Sequence, residues 1–208
     1  MTHMISTRTA TAGRSLICRI DAHLRKRLGI FEIWDDPRSL FRVNLATTSR
    51  PVSLPGLSLP AGAKILDLHL WSEHAPDQPA TGADIAASWK MFKMGIASFK
   101  EIAACLQTDP RLMGVQAVHG ITPLFFREES NAGRHTFARL GFRVIPYRHP
   151  MGAFGIFWQD LHIWLLTWAI KPAALNRRGH FKNLWNELWY PADEFIRKYG
   201  PKEKGRKK

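Results

Sequence analysis

Residues 63–73, Ala-Lys-Ile-Leu-Asp-Leu-His-Leu-Trp-Ser-Glu, alternate between two kinds of side chain. Leu66, Leu68 and Leu70 take every second position, and Asp67, His69, Trp71 and Glu73 take the others. Extended backbone sends positions i, i+2 and i+4 to one face, so the stretch predicts a strand with one leucine face for a core. The other face would carry a carboxylate, an imidazole, an indole and a second carboxylate, neighbours about 7 Å apart. A chain with such a strand must build a sheet around it, and the polar face is where chemistry is expected.

At 208 residues the chain is long enough for one domain with a sizeable core, and 45% hydrophobic with 23% charged residues is ordinary globular usage. Cys18 and Cys105 are far apart and fit no metal-ligand spacing, which suggests a reducing compartment. No window reaches the ~18–20 apolar residues of a membrane span, and the N-terminus lacks the apolar region of a signal peptide. The expected location is cytoplasmic.

The net charge of +13 is the unusual quantity, and it implies an anionic partner: nucleic acid, acidic lipid headgroups or a phosphorylated ligand. Residues 1–28 hold Arg8, Arg14, Arg19, Arg25, Lys26 and Arg27 against the single acid Asp21. Residues 197–208, RKYGPKEKGRKK, read as a basic flexible tail. Nucleic-acid binding is not favoured, because no helix-turn-helix, zinc-finger, RRM or KH signature is visible and the cations are scattered. An anionic ligand or a lipid surface is the expected partner.

Residues 1–13 are rich in Thr, Ser and Gly and are expected to be disordered. From Arg14 to Leu28 the spacing of Leu16, Ile17, Ile20, Leu24 and Leu28 predicts an amphipathic helix ended by Gly29 with a basic outer face, its apolar side packed on the domain or, as the less favoured alternative, laid on a membrane surface. Strands are expected at 30–34 and 41–48, a proline-rich loop at 49–62, and the strand described above at 64–71. Ile85, Trp89, Phe92, Ile96, Phe99, Ala103 and Leu106 then recur at alternating spacings of four and three. That predicts a long helix from about Thr81 to Gln107, with Lys90, Lys93 and Lys100 outside. A buried strand at 113–126, a helix at 132–140 and a strand at 141–147 follow.

Residues 154–170 are the most apolar segment, read as a core helix or as a helix in a membrane interface, where tryptophan favours the headgroup boundary. A last helix is expected to carry Trp185 and Trp189. Strands alternating with helices make an α/β (α+β) domain over 14–196.

His69 is the favoured general base, because an imidazole titrates near working pH, with Glu73 or Asp67 as its partner. Asp67, His69 and Glu73 are also three metal-ligand types on one face, but loosely placed for that role, and no metal is expected. The two carboxylates could instead pair with Arg127, Arg134 or Arg177. Trp71, Arg127 and Arg134 are the substrate-binding candidates, the two arginines flanking Glu128–Gly133 and able to grip a phosphate or carboxylate. His119, in a presumed strand, reads as a core histidine.

Two resemblances follow. Residues 62–74, Gly-Ala-Lys-Ile-Leu-Asp-Leu-His-Leu-Trp-Ser-Glu-His, resemble the opening of the YkoP-like domain, with similarity running through Leu140-Gly141-Phe142 and Asn186-Glu187-Leu188-Trp189, about residues 62–195. Ser72 stands where that family tends to have Asn. The order of elements, with Asn131-Ala-Gly-Arg-His-Thr-Phe-Ala-Arg-Leu-Gly-Phe-Arg-Val144, resembles the closing part of GNAT acyltransferases. That resemblance implies a GNAT-like mixed sheet, an acyl-coenzyme A donor, and a long helix whose N-terminus meets the donor's pyrophosphate. The family's glycine-rich pyrophosphate loop is absent from residues 74–83, HAPDQPATGA, and Phe137 stands where its proton-donating tyrosine falls.

The expectation is acyl-transfer chemistry on an anionic or lipid-linked substrate at the cytoplasmic membrane surface. The alternative is a non-catalytic module that binds membrane or glycan, which the two departures favour.

Overall fold

The structure is a computed structural model that describes residues 2–76, 85–123, 132–172, 175 and 184–201. Helix α1 (Thr2–Arg27) leads into strand β1 (Phe41–Thr47), a small hairpin β2 (Val52–Leu54) and β3 (Leu57–Leu59), and β4 (Lys64–Leu70). Then come α2 (Ile85–Thr108), a 3-10 turn at Pro110–Leu112, β5 (Ala117–Thr122), α3 (Ala132–Leu140) and β6 (Arg143–Pro146). Helix α4 (Gly152–Ile170), β7 (Asn186–Pro191) and α5 (Ala192–Tyr199) complete the domain, which is mixed α/β as expected.

Five strands form one mixed sheet in the order β1-β4-β5-β7-β6. Strand β4 runs antiparallel to β1 and parallel to β5, and β7 is antiparallel to both β5 and β6. Helix α2 is the crossover that a parallel neighbour requires. One face of the sheet supplies Val43, Leu66, Val118, Leu188 and Tyr190 to the main core, where α2 adds Phe99, Ile102 and Ala103 and α5 adds Phe195 and Tyr199. The leucine face of β4 thus turns toward this core as its alternation predicts, with Leu66 buried and Leu68 and Leu70 half-buried. The opposite face is covered at one end by the hairpin, through Leu57, Leu59, Ile65, Ala117 and Trp189.

Among the glycines at positive φ, Gly56 and Gly141 bear on the turns and packing of the sheets. Gly56, at φ 71, follows Pro55 at the tip of the β2–β3 hairpin, the Pro-Gly order that a type II turn favours. Gly141, at φ 98, turns α3 into β6, and a Cβ there would lie 2.3 Å from the Tyr190 hydroxyl. Leu140-Gly141-Phe142 is thus a packing requirement as well as a turn.

Several expectations are corrected. Helix α1 begins at Thr2 rather than at Arg14. Segment 30–34 makes only the isolated bridge Phe31↔Val43, and 49–62 contains a hairpin rather than a loop alone. Trp189 lies in β7, not on a helix, because Asn186–Pro191 is buried at every position between β5 and β6. The stripe on α2 is buried only in its C-terminal half: Phe99 and Ala103 are in the core, whereas Ile85, Trp89 and Phe92 are exposed. Helix α4 is no core helix, since only Gly155 and Asp160 are buried along its length. It lies along α1, with Gly13 against Trp168. Among the described residues no helix is long and apolar enough to cross a membrane. The basic tail falls largely outside the described residues.

Candidate active site where two parallel strands part

Strands β4 and β5 pair from Ile65↔Ala117 to Leu68↔Gly120 and no further. Beyond that rung His69 and Leu70 stay paired to Arg42 and Phe41 of β1, while Ile121 and Thr122 stay paired to Glu187 and Asn186 of β7. The sheet therefore parts at the carboxyl ends of its two parallel strands, the usual place for ligands in sheets of this kind.

On the helical side of the parting is a cavity of about 240 Å³. Leu68, Gly120 and Thr122 form its floor, Phe92 and Ile96 of α2 one wall, and Phe137 and Leu140 of α3 another. Among the described residues its polar side chains are the hydroxyls of Ser88, Thr122 and Thr136. Gly120 leaves the floor open by having no side chain. From the exposed half of α2, Ser88, Met91 and Phe92 reach this cavity.

On the opposite face the register lines up polar groups. Asp67 stands directly opposite His119 on β5, and parallel neighbours in register share a face about 4.8 Å apart. Asp67 Oδ1 lies 2.9 Å from His119 Nδ1. A carboxylate can only accept, so His119 donates this hydrogen bond from Nδ1–H. The ring's Nε2 is buried and has no partner among the described residues. Trp189 lies against the ring, centroids 4.1 Å apart, and gives its own Nε1–H to Glu187 at 3.0 Å.

His69 sits at the parting itself. Its Nε2 is 2.8 Å from Asn44 Oδ1 on β1 and 3.7 Å from Asp67 Oδ2. With the Asn44 oxygen accepting, Nδ1 is the free nitrogen. Burial lowers the His69 pKa below its ordinary value, the Asp67 charge opposes this, and His119 adds to the lowering. The ring therefore stays neutral near pH 7, as a base requires. Nearby, burial pushes the Tyr147 hydroxyl up, and the charges of Glu187 and Asp67 push the same way.

Glu73 does not join His69. The strand ends at Leu70, and the turn after it carries Glu73 to Arg42 at 3.3 Å and to Arg25 of α1 at 3.9 Å. Arg42 is itself buried and also holds Glu32 at 3.1 Å. The pairing of a carboxylate with arginine is thus realised, with Arg42 rather than Arg127, Arg134 or Arg177. Trp71 is buried, with the Arg42 guanidinium 4.2 Å above its ring and His74 stacked at 3.7 Å, so it serves as a platform rather than an exposed contact. Arg134 is exposed on α3. Arg127 and Arg177 lie outside the described residues, as do residues 77–84, where the long helix was expected to start. Among the described residues no group of three His, Cys, Asp or Glu is placed to hold a metal ion.

Sequence reasoning read His119 as a core histidine in a strand, and it is buried in β5; what it did not see is the pairing with Asp67. Its alternation with Ala117 and Ile121 was readable, but only the β4–β5 register places it opposite Asp67. Comparison with family models, with curated proteins and with solved structures gives no match to this chain.

Proposed function

We propose that this protein transfers an acyl group from a thioester donor to a nucleophilic acceptor, with the donor's chain in the apolar cavity and His69 as the base. The observation that carries this reading is the parting of β4 and β5 between an apolar cavity on one face and Asp67, His69 and His119 on the other. An apolar cavity beside a few convergent polar groups is the expected form of a small-molecule site.

The walls fit a coenzyme A thioester at its acyl end. An apolar cavity of roughly 150 Å³ already holds benzene, and this one is about 240 Å³. The donor supplies an activated carbonyl and a thiolate leaving group. Leu68, Phe92, Ile96 and Phe137 would enclose its chain and exclude water. His69 Nδ1 takes the proton of the attacking amine or hydroxyl, while Asn44 fixes the ring through Nε2. Asp67, held by His119, faces the imidazolium that forms. Phe137 has no proton to return to the thiolate, so the thiolate takes its proton from water, and the His69 imidazolium returns its own to the hydroxide left behind. The charge of +13 suits an anionic or lipid-linked acceptor met at the cytoplasmic membrane surface.

A second reading, a non-catalytic module for membrane or glycan, is favoured by Phe137 in the cavity wall. Thiol release from acyl-coenzyme A, followed against panels of amine, hydroxyl and lipid-linked acceptors, separates the two. His69→Gln should abolish an activity found in this way while leaving donor binding intact. An activity that H69Q leaves unchanged sinks the assignment of the base.

A further inference from the structure

We infer that the outer face of the α1–α4 pair is a docking surface for an anionic lipid bilayer. This deepens the membrane part of the reading above and does not depend on its chemistry.

The pair is built in reverse of a water-facing one. Leu16, Ile20, Leu24 and Leu28, one helical turn apart, point outward and are 58, 50, 37 and 60% exposed. The side of α1 turned toward the domain instead carries polar groups. Arg14 lies 5.5 Å over the Trp168 ring, and Asp21 meets Arg25 at 2.8 Å and His162 of α4 at 3.7 Å. Of the expected apolar stripe only Ile17 is half-buried beside these groups, and for the other four residues the expected packing onto the domain is inverted.

As α1 passes from Gly13 to Asp21, its contacts on α4 pass from Trp168 back to His162, so the helices are antiparallel. Leu24 and Leu28 consequently lie toward the end of the pair where Phe154 and Trp158 of α4 are exposed. Together they present an apolar strip about 18 Å long on α1 alone, at 1.5 Å per residue from Leu16 to Leu28. A strip of this size on a monomer marks an interaction site.

Charge selects the occupant. Exposed Arg19, Lys26 and Arg27 flank the strip, and Asp21, the sole acid of residues 1–28, is turned inward to Arg25. A second copy seated on this face would set cations against cations without a compensating acid. Anionic headgroups would meet the same cations favourably, while leucine, phenylalanine and tryptophan enter the boundary below them. That is the pattern of an interfacial helix.

The test is flotation of the full chain with phosphatidylcholine vesicles containing a phosphatidylserine minority, beside pure phosphatidylcholine vesicles. The wild type should float with the anionic vesicles. The double variant I20E/L24E should weaken binding at least about tenfold, the loss expected when one buried leucine-sized side chain is withdrawn. R19Q/K26Q/R27Q should weaken it on the order of 100-fold, at about fivefold per cation. Met113→Glu, which adds one such charge at another exposed apolar position, should change binding little. All are surface changes, and an unaltered melting temperature checks that the fold persists. No flotation, flotation insensitive to I20E/L24E, or a dimer in vesicle-free solution that I20E/L24E dissociates would each overturn the inference. Donor binding, measured without vesicles, reports on the chemistry separately.

Discussion

Asp67 and His119 form the most consequential polar contact in the sheet, and its worth can be estimated. Asp67→Ala removes the acceptor 2.9 Å from Nδ1, leaving the imidazole N–H with nothing to bond, in a ring only 7% exposed. A hydrogen bond to a charged group contributes about 1.5–3 kcal/mol, and a stranded buried donor costs about 1–3 kcal/mol. The Asp67 side chain is 20% exposed, so water screens part of the interaction and about 1–2 kcal/mol is expected. In a chain of this size each kcal/mol moves the melting temperature by roughly 2–4 °C, giving a fall of about 2–8 °C. Asp67 also lies 3.7 Å from His69, so the single variant does not isolate the pair. A double-mutant cycle with Asp67→Ala and His119→Phe does, because phenylalanine keeps the contact with Trp189 and needs no acceptor. Denaturant unfolding of the four proteins should give a coupling of about 1–2 kcal/mol. Additivity within about 0.3–0.5 kcal/mol would refute the pair.

Three other outcomes follow from the same geometry. A Cβ at Gly120 would meet Leu68 at 3.6 Å, an ordinary contact, so Gly120→Val should fold while filling the cavity floor, and calorimetry should find thioester binding lost. Because burial lowers the His69 pKa in the folded state, the unfolded chain takes up that proton first as pH falls through about 6.5. The His69 contribution to stability is therefore complete above that value and lost below it, and His69→Gln should flatten that part of the pH–stability curve. Phe195 is fully buried among Phe99, Tyr190 and Tyr199, so Phe195→Ala should cost about 3–5 kcal/mol in denaturant unfolding without touching the cavity.

What could be read in advance was what rests on local periodicity. The leucines of β4 and the end of α2 before Asp109-Pro110 are properties of a few neighbouring residues, and they appear where expected. Gly141 was visible as a turn, but its crowding against Tyr190 needed the distant strand β7. Strand β7 itself was read as helix because Leu188, Trp189 and Tyr190 have no alternation: both of its faces are buried, so the polar–apolar signal vanishes. The inversion of α1 was hidden for a different reason. An amphipathic pattern says that two faces differ, not which one meets the domain. Of the site, Asp67 and His69 were legible from their shared face, whereas the turn at residues 72–74 took Glu73 away to Arg42. His119 and the parting of the strands depend on register, which no single segment carries.

The parting of β4 and β5 as a thioester site is the central claim, and thermal unfolding against acetyl-, malonyl- and long-chain acyl-coenzyme A tests it most directly. A donor present at 100 times its Kd should stabilise the fold by about 2.7 kcal/mol, a rise of roughly 5–11 °C. The apolar cavity predicts that this rise is reached at lower concentration with longer acyl chains, and that Gly120→Val removes it. A melting temperature unmoved by every thioester would contradict the claim.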